Sequence, residues 1–222
     1  MSVHVIYYNK DRAKMMRPVL TREEYLALRN GEEQKAIVKA VRSGDTRKKS
    51  KLVQMNYSCL PNEDGTLKGS TTMSTTVGMD VDHVPAEQMQ ALRERILSNK
   101  DELGLLMLEL SARGQGYHLV FRRQEGKSQE ENLLWASQLI DVQYDEGAKD
   151  ITRVFYTTTA SKEDLIYLDD EVFKPLLSSP VKGRVFKPSV LNPCSPPKQG
   201  ELERVFCPLR YCSPNNFSNS SS

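Results

Sequence analysis

The sequence predicts an α+β protein, and three observations support that class. Short runs rich in β-branched and aromatic residues recur at strand length, for example ITRVFYTTT at 151–159. Between them lie segments with apolar residues at helical spacing, two of which open with capping-box residues. Helical and extended segments are mixed along the chain, and strands dominate its centre. This mixed order favours an α+β fold.

The N-terminal part of the chain is predicted to be a strand followed by two helices. Residues 2–8 (SVHVIYY) have the composition of a strand. A helix is predicted from Thr21, because Thr21 and Glu24 have capping-box spacing, and Gly31 is a frequent type of stop signal. A second helix is predicted over 32–44, where apolar residues share one face.

The rest of the chain is predicted to hold most of the strands. Pro85 suits the first turn of a helix that continues through 86–98. Ser128 and Glu131 repeat the capping-box spacing and open a further helix. The predicted strands, with their exits, are 51–60, 77–84, 103–111, 116–123, 151–159 and 164–173.

Composition and charge narrow the possible functions. The 222 residues suffice for one sizeable domain, and 38% of them are hydrophobic, which supplies a core. Lysine and arginine number 31 against 29 acidic residues, so any nucleic-acid role has to come from local patches. No apolar run approaches the roughly 20 residues of a membrane span, and the N-terminus lacks the features of a secretory signal. We therefore expect a cytoplasmic protein without a membrane partner.

The composition changes near residue 188. We expect one domain over 1–187 and a linker or disordered tail over 188–222, which is rich in Pro, Ser and Asn. Three cysteines lie in this tail, and we interpret them as incidental reduced thiols. A zinc site is the alternative, but it would lack a nearby fourth ligand. These cysteines are Cys194, Cys207 and Cys212.

Two acidic residues interrupt the apolar run VGMDVDHV at 77–84. In a strand, residues i and i+2 point to the same face, so Asp80 and Asp82 would lie side by side. Two carboxylates this close repel each other unless a cation or a shared proton intervenes, and such oxygen ligands suit Mg²⁺ or Mn²⁺. The alternative is a solvent-exposed pair that caps the helix beginning at Pro85.

A second group of functional residue types lies in SARGQGYHLVF. Gly114 and Gly116 permit a sharp turn and a close approach of the backbone to a ligand. Ser111 and Arg113 supply donors that suit phosphate. His118 either faces a functional surface or packs as an ordinary core histidine. A plain hairpin explains any one of these residues, but their concentration favours a binding site.

A third group lies in KDITRVFY, where Asp150 and Arg153 precede or begin a predicted strand. Asp150 either caps a turn and pairs with Arg153, or it supplies a third carboxylate for the same metal ions. In the second case Arg153 would turn toward a phosphate.

A short basic run, RSGDTRKKSK, contains Arg47, Lys48, Lys49 and Lys51 with Asp45 as its acidic residue. A solvated loop is the ordinary interpretation of such a run. The alternative is a patch that contacts phosphates.

In this order, MDVDHV, SARGQGYHLVF and KDITRVFY resemble the motifs of the archaeo-eukaryotic primase superfamily of primase-polymerases. The stretch from QMNYSCLPNEDG to VGMDVDHV is similar to a bacterial branch found in mobile elements, often called the VirE N-terminal domain. The resemblance spans roughly residues 20–173. It implies the primase-polymerase catalytic fold, with a central, mainly antiparallel, RRM-like sheet, flanking helices and an N-terminal αβ unit.

The resemblance also implies a site. Asp80, Asp82 and Asp150 would be the catalytic residues and would hold two Mg²⁺ or Mn²⁺ ions, while His118 would contact the phosphates of a nucleoside triphosphate. The motif after the third group departs from the branch, because TTTASKED replaces an element like SYDP, so Asp164 is an alternative third ligand. The other nucleotide-binding residues would be Ser111, Arg113, Gly114, Gly116 and Arg153.

The implied activity is that of a template-dependent DNA or RNA primase or polymerase in DNA replication, in a mobile element. A single-stranded DNA template would contact Arg47, Lys48, Lys49 and Lys51. The chain carries no Walker-type sequence, so a helicase-like ATPase would be a separate partner chain. Two alternatives stay open, namely a metal-dependent nuclease and an inactive nucleic-acid-binding module of the same fold.

Overall fold

The strands and helices were located in a computed structural model, which describes residues 3–174. The predicted tail over 188–222, with Cys194, Cys207 and Cys212, lies outside the described residues. The strands are β1 (His4–Tyr8), β2 (Lys14–Pro18), β3 (Gln54–Asn56), β4 (Thr76–Val81), β5 (Leu105–Leu110), β6 (Tyr117–Arg122), β7 (Phe155–Tyr156) and β8 (Leu165–Leu168). The α-helices are α1 (Arg22–Asn30), α2 (Glu32–Arg42), α3 (Ala86–Ser98), α4 (Lys100–Leu103) and α5 (Gln129–Leu139). Short 3₁₀ helices cover Thr46–Lys51, Glu146–Lys149 and Asp170–Phe173.

The predicted α+β class is confirmed, and the helix starts follow the capping residues. The Thr21 side chain accepts a hydrogen bond from the backbone N–H of Glu24 at the start of α1. Ser128 and Glu131 form a complete capping box at the start of α5. Gly31 separates α1 from α2.

The strands form two antiparallel sheets, whereas the sequence predicted one central sheet. The first sheet has the order β2-β1-β3-β7, and the second has the order β4-β6-β5-β8. β2 was not predicted, because KMMRP has no alternation of apolar and polar residues and ends in proline. The predicted strand over 151–159 shortens to Phe155–Tyr156, where it pairs with β3.

The second sheet is covered on both faces. Met79 and Val81 of β4 belong to an apolar cluster with Leu92 of α3 and Leu133 of α5. The opposite face meets the first sheet and α1, through a cluster that joins strands of both sheets and includes Tyr25. Residues of β4 that alternate with Met79 and Val81 therefore lie between the sheets.

Gly78 of β4 makes the close approach of the two sheets possible. A Cβ atom at Gly78 would lie 2.6 Å from Cε2 of Phe155, which is well inside van der Waals contact. The Phe155 ring in turn packs edge-on against His118, with ring centroids 5.3 Å apart. The glycine therefore lets Phe155 lie flat against β4 and support the His118 ring.

We expect Gly78→Ala to lower the free energy of unfolding by about 1–3 kcal/mol, because the added methyl group displaces a buried ring. Urea denaturation followed by circular dichroism measures the change. Gly31→Ala is the control, since nothing lies within 4 Å of its added Cβ, and its effect is expected to stay within about 0.5 kcal/mol. Equal effects of the two substitutions would contradict the steric explanation.

A second prediction concerns His4 in β1, which is 3% exposed and whose Nδ1 has no partner among the described residues. Burial lowers the pKa of His4 to about 4. The unfolded chain therefore binds more protons at this site between about pH 6.5 and 4. Stability should rise with pH across that window and fall as the pH is lowered through it.

Denaturation midpoints measured from pH 7 to pH 4 test this dependence. We expect His4→Leu to remove a slope of at most about 1.4 kcal/mol per pH unit. Ile6→Val in the same strand removes no titratable group and is expected to keep the wild-type slope. An unchanged slope in His4→Leu would show that other groups cause the acid sensitivity.

Candidate metal centre and adjoining cleft

A row of ionisable side chains crosses the second sheet on the face that meets the first sheet. Asp80 of β4 pairs in register with His118 of β6, and His118 pairs in register with Glu109 of β5. Directly opposite residues of neighbouring strands point to the same face, so strand pairing alone aligns the three side chains. All three residues are buried.

Three carboxylates meet where β4 ends. Asp80, Asp82 and Asp145 each offer an oxygen atom, and these atoms lie within 4.8 Å of one another. Asp82 follows directly after β4, while Asp145 precedes a 3₁₀ helix in the segment after α5. The backbone N–H of Asp145 donates to the carbonyl oxygen of Asp80 over 2.8 Å, which fixes the approach of the two segments. The predicted pairing of Asp80 with Asp82 is thus joined by Asp145.

The electrostatics of Asp80 suit a bound cation. Oδ1 of Asp80 is buried and has no hydrogen-bond partner among the described residues. Burial raises the pKa of Asp80, against the opposing charge of His118. One guanidinium, that of Arg153, approaches the cluster, at 3.2 Å from Oδ2 of Asp80 and 3.3 Å from Oδ2 of Asp145. The three carboxylates, which include the buried Oδ1 of Asp80 without a hydrogen bond, therefore form a donor set that fits a hard divalent ion.

His118 is held from behind by a buried ion pair. Nδ1 of His118 lies 2.9 Å from Oε1 of Glu109, and Nη2 of Arg29 lies 2.5 Å from Oε2 of Glu109. Burial alone would raise the pKa of Glu109, but the charge of Arg29 and the hydrogen bond of His118 outweigh it and lower the pKa to about 2. Glu109 is therefore ionised and accepts the proton on Nδ1. This bond directs Nε2 of His118 toward Asp80, 3.6 Å from Oδ1.

The charge on His118 follows from these neighbours. Burial alone would lower the pKa of His118, but the hydrogen bond with Glu109 and the charge of Asp80 outweigh burial and raise it. Arg29 and Glu109 neutralise each other in the interior, where an unpaired charge is costly. His118 therefore serves as a fixed, readily protonated group beside the carboxylates.

A cleft of about 210 Å³ opens beside Asp80 and His118. Arg153 and Lys49 line it, and the Lys49 ammonium lies 5.3 Å from the ring centroid of Tyr156. Cationic side chains and the Asp80 carboxylate thus share the lining of this cleft. Asp82 and Asp145 line a separate, larger cavity of about 500 Å³.

The turn between β5 and β6 has the predicted glycines, with a structural reason for each. Gly114 has a φ of 76°, a left-handed conformation that glycine adopts without strain. A Cβ atom at Gly116 would collide with the carbonyl oxygen of Val81, so only glycine lets the turn lie against the end of β4. The Ser111 hydroxyl is buried without a partner in the described part of the chain, and Arg113 is exposed.

The third carboxylate of the cluster is Asp145, where the sequence favoured Asp150 and held Asp164 as the alternative. Asp150 is exposed, and its side chain accepts hydrogen bonds from the backbone N–H and hydroxyl of Thr152. Asp164 is buried and forms an ion pair with Arg42. Asp150 therefore caps a turn ahead of β7, as the other interpretation expected. The Arg153 guanidinium, however, pairs with Asp80 and Asp145 instead of with Asp150.

The predicted basic run forms the 3₁₀ helix Thr46–Lys51. Lys49 lines the small cleft, so one member of the run lies at the site. Asp45 lies 3.5 Å from both Arg47 and Lys48, and Lys51 is exposed. The other basic side chains of the run lie outside the lining of the cleft.

Three residues of the site were missed in the sequence, and each left a signal. Glu109 is an acid inside the apolar run LLMLEL, which a buried strand tolerates only when a partner neutralises it. Asp145 precedes Glu146 and Gly147 in a capping pattern, and its side chain accepts from the backbone N–H of Gly147. Arg29 left the weakest signal, since a helical arginine is ordinarily exposed.

Comparison of the chain with protein-family models, with curated proteins and with solved structures found no match. Among residues 3–174, no helix combines the length and the apolar character that crossing a membrane requires.

We expect Arg29→Met to destabilise the fold by about 3–5 kcal/mol, because it leaves the Glu109 carboxylate buried without its partner. Thermal and urea denaturation measure the loss. Lys35→Met in the neighbouring helix α2 is the control, because its ion pair with Glu32 is exposed, and we expect a change below about 1 kcal/mol. Similar losses in the two variants would show that Arg29 contributes only general helix stability.

Proposed function

We propose that this protein is a metal-dependent nucleotidyltransferase, a primase-polymerase that extends a strand on a nucleic-acid template. The observation that carries the proposal is the meeting of Asp80, Asp82 and Asp145 beside a cleft lined by Lys49, His118 and Arg153. Carboxylates for a divalent cation next to fixed cationic groups are what the transfer of a phosphorylated group requires.

The acidic cluster would hold Mg²⁺ or Mn²⁺, with two ions as the resemblance implies. When bound, the metal neutralises phosphate charge and lowers the pKa of an attacking hydroxyl group. Asp80 supplies the buried Oδ1 without a hydrogen bond, and Asp82 and Asp145 complete the oxygen donor set. The fixed backbone bond between Asp145 and Asp80 holds this set in place before a ligand arrives.

The residues of the small cleft bind and orient the phosphates of a nucleoside triphosphate. Arg153 offers a planar fork of donors and Lys49 a compact charge, both of which suit phosphate oxygens. His118, oriented by Glu109, holds a proton on the cleft side, where it stabilises negative charge on the transferring or leaving phosphate. Exclusion of water by the buried sheet face strengthens each of these interactions.

The order of the sequence motifs supports polymerisation in preference to hydrolysis. MDVDHV, SARGQGYHLVF and KDITRVFY follow one another as in the primase-polymerases, and two of them contribute Asp80, His118 and the adjoining turn to the site. The third contributes Arg153, with Asp145 in place of the expected Asp150. In line with the resemblance to the VirE N-terminal branch, the proposed activity serves DNA replication of a mobile element, with a helicase-like ATPase on another chain as the proposed partner.

The test supplies a primed single-stranded DNA template, labelled nucleoside triphosphates and Mn²⁺, and follows product length on a denaturing gel. We expect Asp80→Asn and Asp145→Asn to lower extension by at least about 100-fold, because each removes a cation-binding carboxylate. Asp150→Asn is the matched control and is expected to stay within about threefold of wild type, because Asp150 caps an exposed turn.

Mn²⁺ binding followed by electron paramagnetic resonance gives a second measurement. Burial raises the pKa of Asp80, and a bound metal requires the ionised carboxylate, so the affinity for Mn²⁺ should increase with pH.

Shortening of the template without extension, in the gel assay, would support a nuclease instead. Loss of extension in Asp150→Asn with full activity in Asp145→Asn would refute the proposed cluster.

A further inference from the structure

The hairpin between β1 and β2 exposes two adjacent aromatic residues. Tyr7 is 47% exposed and Tyr8 is 55% exposed, and neither contributes to the apolar clusters of the core. They stand at the end of β1 and pair in register with Met15 and Lys14 of β2. Neighbouring tyrosines that remain in solvent offer flat surfaces for contact with a ligand.

The tip of the hairpin is basic and has a defined shape. The Asn9 side chain accepts hydrogen bonds from the backbone N–H groups of Asp11 and Ala13, and Arg12 has a left-handed φ of 60°. This turn holds Lys10 and Arg12 in solvent beside the tyrosines. The five residues 10–14 thus include three basic residues and one acidic residue, namely Lys10, Arg12, Lys14 and Asp11.

Protection of a sheet edge does not explain these charges. Basic residues on an edge strand commonly prevent pairing with other chains. Here the outer edge of β2 is already covered, because Met16 donates to the carbonyl oxygen of Gly65 and Leu67 donates to that of Lys14. The basic tip therefore needs a different explanation.

Strand register connects the hairpin with the cleft. Ile6 of β1 pairs with Gln54 of β3, and Gln54 pairs with Tyr156 of β7, which lines the cleft. Paired residues share a face, and Tyr8 lies two positions beyond Ile6, so Tyr8 and Tyr156 lie on the same face of the first sheet. Two strand spacings and two residues separate them, which is about 12 Å.

The basic 3₁₀ helix lies at the same end of this sheet. β3 begins at Gln54, opposite Ile6, so the chain that enters β3 comes from the side where β1 ends. That chain is the helix Thr46–Lys51, and the Gln54 side chain donates to the carbonyl oxygen of Ser50. Lysines 48, 49 and 51 and the end of β1 therefore lie at the same end of the first sheet, where Lys49 lines the cleft.

We propose that this surface binds single-stranded nucleic acid, with a base stacked on Tyr8 and phosphates bound by the hairpin tip and the 3₁₀ helix, while Tyr7 points to the opposite face of β1. Aromatic rings beside a basic track are the elements that bind single strands without sequence preference. Lys49 of this surface lines the cleft beside the proposed metal centre, so the bound strand would be the template. The role as template rests on the proposed function, whereas strand binding itself does not.

Fluorescence anisotropy with a labelled 20-nucleotide oligothymidine, in buffer with EDTA, tests binding apart from catalysis. We expect Tyr7→Ala/Tyr8→Ala to raise Kd by about 10-fold, because the base stacked on Tyr8 is lost. Tyr8→Ala alone should have the same effect as the double variant, and Tyr7→Ala alone should stay within about twofold of wild type, since Tyr7 lies on the opposite face. Tyr7→Phe/Tyr8→Phe keeps the rings and should stay within about twofold of wild type. Leu20→Ala/Leu134→Ala removes exposed apolar side chains elsewhere and should have no effect.

The charged part of the surface gives an independent readout. Lys10→Gln/Lys48→Gln/Lys51→Gln should reduce the slope of log Kd against log salt by about two to three, because phosphate contacts are lost. An unchanged Kd in the double alanine variant, or no binding of the oligonucleotide by wild type, would overturn the proposal. In the second case the exposed tyrosines would serve a protein partner.

The primer-extension assay separates this inference from the proposed function. Strand binding that depends on Tyr8 without any extension by wild type would support the surface and refute the polymerase. Extension that requires Asp80 and is the same in Tyr7→Ala/Tyr8→Ala at limiting template would support the polymerase and refute the surface.

Discussion

The need to neutralise charge between two sheets governs this structure. Arg29, Glu109, His118 and Asp80 follow one another across a buried interface, where each isolated charge would be unfavourable. The arginine fixes the glutamate, the glutamate fixes the proton on the histidine ring, and the histidine faces the carboxylate that borders the cleft. Oδ1 of Asp80, at the end of the row, accepts no hydrogen bond in the described chain and lies 3.6 Å from Nε2 of His118. The row therefore ends in a carboxylate that borders the cleft.

The backbone around this row is shaped to keep it dry and rigid. Gly78 admits Phe155 between the sheets, and Phe155 packs against the His118 ring. Gly116 brings the turn after β5 against the end of β4, beside Asp82. Both glycines serve close packing, and it was Gly116 for which the sequence suggested contact with a ligand. The scaffold thus contributes to the site by restricting movement of its side chains, which is how preorganised charge assists a reaction.

The sequence predicted the parts of the site that follow from local periodicity. The period of a strand was enough to bring Asp80 and Asp82 together, and His118 lies in register with Asp80. Arg29 and Glu109 were missed because their pairing joins positions 80 residues apart, a relation that no local pattern contains. Asp145 and Asp150 lie in the same connecting segment, and only the backbone bond to β4 decides which one reaches the cluster.

Contacts between distant parts of the chain have a consequence for synthesis. Gln34 donates to Thr157 across 123 positions, and Arg22 donates to Leu168 across 146 positions. The residues that form hydrogen bonds with α1 and α2 are therefore synthesised long after these two helices. Such long-range closure is slow compared with local helix formation. A ribosome-bound fragment that ends before β7 would lack Phe155, Val172 and Phe173, so apolar residues of the cluster between the sheets would be exposed and prone to aggregation.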